Sequence, residues 1–234
     1  MIAAVLFDLD DTLYPQQEWL DGAWHVVAAR ARTWGVDTAE FERLLRDVAA
    51  VGTDRGGIID QALALLGASS VPVAPLVAAF RAHAPARLDP YPGAAAALEQ
   101  LGRRVPLGLV SDGDPIVQRH KLAALGLGPR FATVVLSDEW GRAHRKPDPL
   151  PLRRALDDLG VAAADAVYVG DRAAKDVAGP ARLGMRAIRV RTGEWGWEPD
   201  DPLAWASVDT VVDAIALVGD ELDAAASAGR TRVG

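Results

Sequence analysis

Five short runs rich in Val, Leu and Ile constrain this chain more than any other feature. They are Ala3 to Phe7, Val105 to Val110, Ala132 to Leu136, Ala166 to Val169 and Arg186 to Val190. A strand with one wet face alternates apolar and polar residues. Runs that stay apolar on consecutive positions predict strands buried on both faces, as in a parallel sheet covered by helices. Helical patterns fill the gaps between the last four. Asp114 followed by Pro115 reads as an N-cap with proline at the first helical position, and that helix stops at Gly126. Leu152, Leu156 and Leu159 recur at helical spacing before Gly160, and Val177, Ala181 and Leu183 before Gly184. Strand and helix alternate, which predicts an α/β fold, a Rossmann-like doubly wound parallel sheet.

The stretch between the first and second runs breaks that rhythm. From Pro15 to Asp89 there is no convincing strand, only amphipathic helical patterns. Phe41, Leu44, Leu45, Val48 and Val51 follow helical spacing, with Asp37 and Glu40 resembling a capping box. Trp19, Ala23, Val27 and Ala31 form another stripe, Ile58 to Leu66 a third and Leu76 to Phe80 a fourth. The reading is an α-helical bundle inserted as a cap domain over 15–89, within a core domain made of 1–14 and 90–234. Turn signals at Tyr14-Pro15 and Asp89-Pro90-Tyr91-Pro92-Gly93 suit a hinged lid.

Composition narrows the function classes. Half the residues are hydrophobic and 24% are charged, the balance of a globular protein. A net charge of -7 with no basic block argues against nucleic acid and anionic membranes as partners. Without Cys, disulfides, thiolate metal sites and cysteine nucleophiles are excluded. No apolar stretch approaches the roughly 18 residues of a membrane helix, and the amino terminus has no signal-peptide pattern. The expectation is a cytoplasmic protein, monomer or homodimer. Its 25 basic residues comprise 22 Arg and only three Lys, at 121, 146 and 175.

In an open parallel sheet, ligands bind at the carboxyl ends of the strands. There the first run ends in Asp8-Leu9-Asp10-Asp11-Thr12, the second in Ser111-Asp112-Gly113, and the fourth in Gly170-Asp171-Arg172 with Asp176 beyond. The third is followed by a loop bearing Arg145-Lys146-Pro147. Clustered carboxylates repel unless a cation neutralises them, and oxygen ligands without His or Cys favour a hard ion such as Mg2+. The implied partner of such a metal is phosphate. Lys146 and the Ser111 hydroxyl can bind phosphoryl oxygens, one carboxylate can attack phosphorus, and another two positions on can move a proton.

These four motifs, in this order from Ala3 to about Val190, resemble the haloacid dehalogenase-like superfamily, in its phosphatase branch with an inserted helical cap. The first, Phe7-Asp8-Leu9-Asp10-Asp11-Thr12-Leu13, is the most specific. The resemblance implies a Mg2+-dependent phosphatase acting on a small phosphorylated substrate through an aspartyl-phosphate. Asp8 would be the nucleophile and Asp10 the general acid and base, with Thr12 in support. Ser111, Lys146 and the backbone N–H groups of Asp112 and Gly113 would hold the phosphate. Asp8, Asp171 and the Asp10 carbonyl would hold the metal, and Asp176 would support Lys146 or a metal-bound water. Dehalogenases of the superfamily lack an acid at the position of Asp10, so Asp10 argues for phosphate esters. Phosphonate-cleaving relatives use a cap lysine, and none lies between Met1 and Arg119. The same site could instead serve a phosphomutase; a receiver-like signalling module fits poorly, because the acidic pair follows the first strand.

The remaining residues get blander readings. Asp11 serves the turn, Lys121 is a solvated surface residue, and Lys175 points away from Asp176. The four histidines lack metal spacing. Trp19, Trp24 and Trp34 pack the helical bundle, with Trp19 or Trp24 as candidate substrate contacts. Arg172 faces substrate or solvent, Trp195, Trp197 and Trp205 support a lid or a dimer contact, and Glu221 to Gly234 forms a fraying helix.

Overall fold

A computed structural model describes residues 1–231 of the chain, with side chains through residue 228. In chain order, β1 (Ala4–Phe7) is followed by α1 (Gln16–Ala31), α2 (Thr38–Ala49), α3 (Ile58–Leu65), α4 (Val73–Ala82) and α5 (Ala94–Gly102). The sheet then resumes with β2 (Leu107–Ser111), α6 (Pro115–Leu125), β3 (Thr133–Leu136), α7 (Leu150–Leu159) and β4 (Ala166–Gly170). It ends with α8 (Ala178–Ala181), β5 (Arg186–Val190), β6 (Ala206–Val208) and α9 (Val211–Thr231). The expected terminal helix therefore forms the end of α9, while 232–234 lie outside the described residues.

The six strands pair in the order β3-β2-β1-β4-β5-β6, parallel throughout. β1 lies between β2 and β4, so the chain fills one side of β1 and then crosses to the other. That reversal opens a crevice at the carboxyl ends of the central strands. β1, β2 and β4 are buried at every position. Leu6, Val110, Val135 and Tyr168 join Leu152, Ala155 and Leu156 of α7 in one core cluster, the last three at the i, i+3, i+4 spacing that faces a helix to a sheet. A Cβ on Gly108 would stand 2.5 Å from a Leu6 methyl, so the glycine in β2 makes room for its neighbour strand.

Two differences from the sequence reading have local causes. β2 starts at Leu107 and runs to Ser111, because Pro106 has no N–H for the ladder and offers only its carbonyl, to Val5. β6 has no apolar run to announce it; it is a three-residue edge strand, only partly buried, paired to β5.

The chain divides into two compact units, Met1–Gln16 together with everything from Arg87 onward, and Gln17–Ala86. In the second unit Trp19, Ala23, Trp24, Val27 and Ala31 form the buried face of α1, and the rings of Trp19 and Trp24 lie 5.0 and 4.9 Å from Phe80. Asp37 caps α2 by accepting from the Glu40 N–H at 3.0 Å, but the Glu40 carboxylate turns to Arg43 instead of closing the box. Val51 is 66% exposed, beyond the end of α2, and leaves the predicted stripe.

Candidate active site

The site grows from the end of β1. The Asp8 N–H still donates to Val169 at 2.9 Å, holding the residue in line with the strand. The chain then turns sharply, with Leu13 donating back to Leu9 at 3.0 Å. Asp11 takes the strain of this turn, with a φ of 56° that puts it in the left-handed region. Its carboxylate accepts from the N–H groups of Gln16 at 2.9 Å and Glu194 at 3.1 Å, and its carbonyl accepts from the Thr192 hydroxyl. Asp11 thus ties the turn to the segment after β5, and burial raises its pKa above the usual carboxylate value. The Thr12 hydroxyl is fully buried, with no hydrogen-bond partner among the described residues.

Lys146 stands at the centre of the rim, 4% exposed. Its Nζ donates to Asp8 Oδ1 at 2.7 Å, Asp176 Oδ1 at 2.8 Å and the Tyr168 hydroxyl at 2.9 Å, which uses all three of its N–H bonds. The Tyr168 hydroxyl in turn donates to the Val110 carbonyl at 3.0 Å. Burial lowers the Lys146 pKa, but the Asp176 and Asp8 carboxylates outweigh it and raise it well above the ordinary value. Burial, opposed by Lys146 and reinforced by Asp176, raises Asp8 to about 7.

Asp171 and Asp176 close the group from the β4 side. Oxygens of Asp8, Asp171 and Asp176 lie within 4.8 Å of one another. Asp176 gets there because Ala173–Val177 form a π-helical turn, and its Oδ2 accepts from the Arg172 N–H at 3.0 Å. Gly170 leaves the space: a Cβ there would be 2.5 Å from the Asp176 carboxyl carbon. Asp171 is raised well above the carboxylate range, by burial first and then by Asp176 and Asp8. Three carboxylates around a single ammonium keep a surplus of negative charge on oxygen donors alone, a set that fits a hard divalent cation. Asp10 contributes no carboxylate to this group; its side chain turns elsewhere.

Asp10 is held by residues to which the sequence reading gave no role. Lys121, read as a solvated surface residue, is 4% exposed, and its Nζ donates to Asp10 Oδ1 at 2.8 Å and Oδ2 at 2.9 Å. The Tyr14 hydroxyl donates to Oδ1 at 2.6 Å, and Gln118 Nε2 donates to Oδ2 at 2.9 Å and to the Ser111 hydroxyl at 2.6 Å. Burial, then the Asp10 charge, raise the Tyr14 pKa well above its ordinary value. A signal was available: Gln118, Lys121, Leu122 and Leu125 occupy the i, i+3, i+4, i+7 positions of one buried face of α6, and two of the four are polar.

Lys175, read as pointing away from Asp176, has a partner of its own. Its Nζ donates to Asp112 Oδ2 at 3.1 Å. Asp112 further accepts from the Ser137 hydroxyl at 2.8 Å and the Lys146 N–H at 3.1 Å, joining the ends of β2 and β3 to the lysine loop. Burial pushes the Asp112 carboxyl up, but Lys146 and Lys175 outweigh it and hold it below the ordinary value. Gly113 has a φ of 126°. All three lysines of the chain therefore meet carboxylates on this rim, not Lys146 alone.

The tryptophan segment is anchored from below. Arg189, fully buried, donates to the carbonyls of Asp171 at 3.2 Å, Trp195 at 2.8 Å, Glu198 at 2.9 Å and Pro199 at 2.6 Å. Arg172 lies over the Trp195 ring at 4.2 Å and Arg186 over Trp205 at 4.4 Å, while Trp197 is 78% exposed.

Residues 2–184 match the family described as haloacid dehalogenase-like hydrolase. The chain belongs to this hydrolase family. It is 37% identical over 203 residues to a glyceraldehyde 3-phosphate phosphatase of Methanopyrus kandleri, covering 83% of this chain and 86% of that one. It is 34% identical over 233 residues to a phosphoglycolate phosphatase of Rhodospirillum rubrum, covering 95% and 91%. Among solved structures, a 2-haloacid dehalogenase from Pseudomonas syringae aligns with a TM-score of 0.67 at 25% identity, over 94% of this chain and 99% of that one. A phosphatase of the same family from Thermococcus onnurineus aligns at 0.66 and 25%, over 93% and 98%. Among the described residues no helix is long and apolar enough to cross a membrane.

Proposed function

We propose that the chain is a Mg2+-dependent phosphatase that hydrolyses a small phosphorylated metabolite through an aspartyl-phosphate on Asp8. The observation that carries this reading is the Lys146 ammonium bonded to both Asp8 and Asp176, with Asp10 two residues along the same turn. In the first step an Asp8 oxygen attacks phosphorus, the bond to the leaving oxygen breaks, and Asp10 supplies the proton that oxygen needs. In the second, Asp10 takes a proton from water as the water oxygen bonds to phosphorus and Asp8 is released. Lys146, the Ser111 hydroxyl and the N–H groups of Asp112 and Gly113 hold the phosphoryl oxygens, where preorganised donors act on the charge that develops.

Mg2+ would be held by Asp8, Asp171 and the Asp10 carbonyl, and would offset charge on the carboxylates and on the phosphoryl group. Asp176, which shares Lys146 with Asp8, orients that lysine beside the metal position. Gln17–Ala86 would be the cap, the part that selects among substrates. The phosphatase names of the relatives support transfer to water over return to a sugar, and they point to short phosphorylated carbon chains.

Turnover of phosphate monoesters, including glyceraldehyde 3-phosphate and phosphoglycolate, tests the reading. Release of phosphate from at least one of them with Mg2+, lost on chelation and in Asp8→Asn, is expected. Turnover that survives Asp8→Asn, or no turnover of any ester, contradicts it.

A further inference from the structure

Lys121 lies in the middle of α6, yet both it and its partner are withdrawn from water, with side chains 5% and 18% exposed for Lys121 and Asp10. Fixing a long ammonium side chain in one buried geometry costs rotamer entropy and desolvation, and a buried ion pair is weak evidence for stability. The contacts suggest another use. Both oxygens of Asp10 are held, by Lys121 twice and by Tyr14 and Gln118 once each. Gln118 extends the same lattice to Ser111.

We propose that Lys121 is a positioning residue for Asp10, fixing the orientation of its carboxylate. The inference rests on the reading of Asp10 as the acid of the proposed reaction. As the leaving oxygen parts from phosphorus, the Asp10 side chain is already fixed in place by an ammonium, an amide and a phenol hydroxyl. Donors fixed in advance where charge develops lower the barrier more than donors that must be recruited. The effect is greatest where the leaving group most needs a proton.

The full-length protein and its Lys121→Met, Lys121→Gln and Lys121→Arg variants are compared with Mg2+ on two substrates, glycerol phosphate and p-nitrophenyl phosphate. The alkoxide of the first leaves only with a proton, whereas nitrophenolate leaves without one. The neutral variants are expected to lower kcat on glycerol phosphate by about 10- to 10²-fold, a part of what a positioned proton donor supplies. On the aryl phosphate the loss is expected to be several times smaller, with KM little changed on both and partial recovery in Lys121→Arg. An equal loss on both substrates, a change confined to KM, or no loss at all overturns the proposal. Asp8→Asn and Asp10→Asn separate the two ideas. If both abolish turnover of glycerol phosphate while the Lys121 variants show no split between substrates, only the role of Lys121 fails. If the aspartate variants keep wild-type turnover, the proposed function fails with it.

Discussion

Two buried lysines organise the rim, and they differ in the carboxylates they hold. Lys121 pairs with Asp10, whose carboxylate also accepts from Tyr14 and Gln118. Lys146 meets two carboxylates, Asp8 and Asp176, with Asp171 close by, so its cluster keeps negative charge in excess. A carboxylate held on both oxygens suits a group that must keep its place while it passes a proton. An acidic cluster that a lysine only partly neutralises suits a cation and the phosphate the cation would bring. The surplus of acids over bases in the whole chain thus has a local counterpart at one end of the site.

Substitutions around Lys146 sharpen this contrast, and the largest effect belongs to the lysine itself. Lys146→Met leaves Asp8 and Asp176 facing each other in a buried site; a loss of about 3–5 kcal/mol of stability is expected from breaking such a pair. Denaturant unfolding measures it, and turnover is expected to fall by about 10²–10³-fold as a phosphate donor disappears. Next comes Gly170→Ala, which drives a methyl into Asp176. It is expected to cost about 1–3 kcal/mol, as overpacking does, and to reduce turnover because Asp176 no longer orients Lys146. Tyr168→Phe is the mildest. It removes a hydroxyl bonded to Lys146 and Val110, a change of about 1 kcal/mol in the same unfolding measurement. If Lys146→Met were as stable as the parent protein, the two lysines would not differ as described.

The same contrast explains what the sequence could and could not disclose. Asp8, Asp10, Ser111 and Asp171 sit at or just past the ends of buried apolar runs, and Lys146 in the loop after the third, so strand pattern and topology are enough to bring them to one crevice. The strands themselves were visible for the same reason, apart from β6, whose three partly buried residues carry no pattern. Lys121 was misread because its partner is 111 positions away and a lone lysine on a helix usually faces water. Only the company of Gln118 on the apolar face of α6 hinted otherwise. Lys175 received no partner from the sequence because its contact, Asp112, lies 63 positions away. Tyr14 and Tyr168 received no site role from the sequence; both are fully buried, and each places a hydroxyl against a charged group.

The central claim is that Asp8 carries the phosphoryl group during turnover. Rapid acid quench of the protein with Mg2+ and a turned-over phosphate ester, followed by mass spectrometry of its peptides, locates that group directly. The account predicts a phosphorylated peptide with the modification on Asp8, absent from Asp8→Asn and from samples without divalent metal. Steady turnover with no phosphorylated protein in the quench, or a phosphoryl group on another residue, would contradict it.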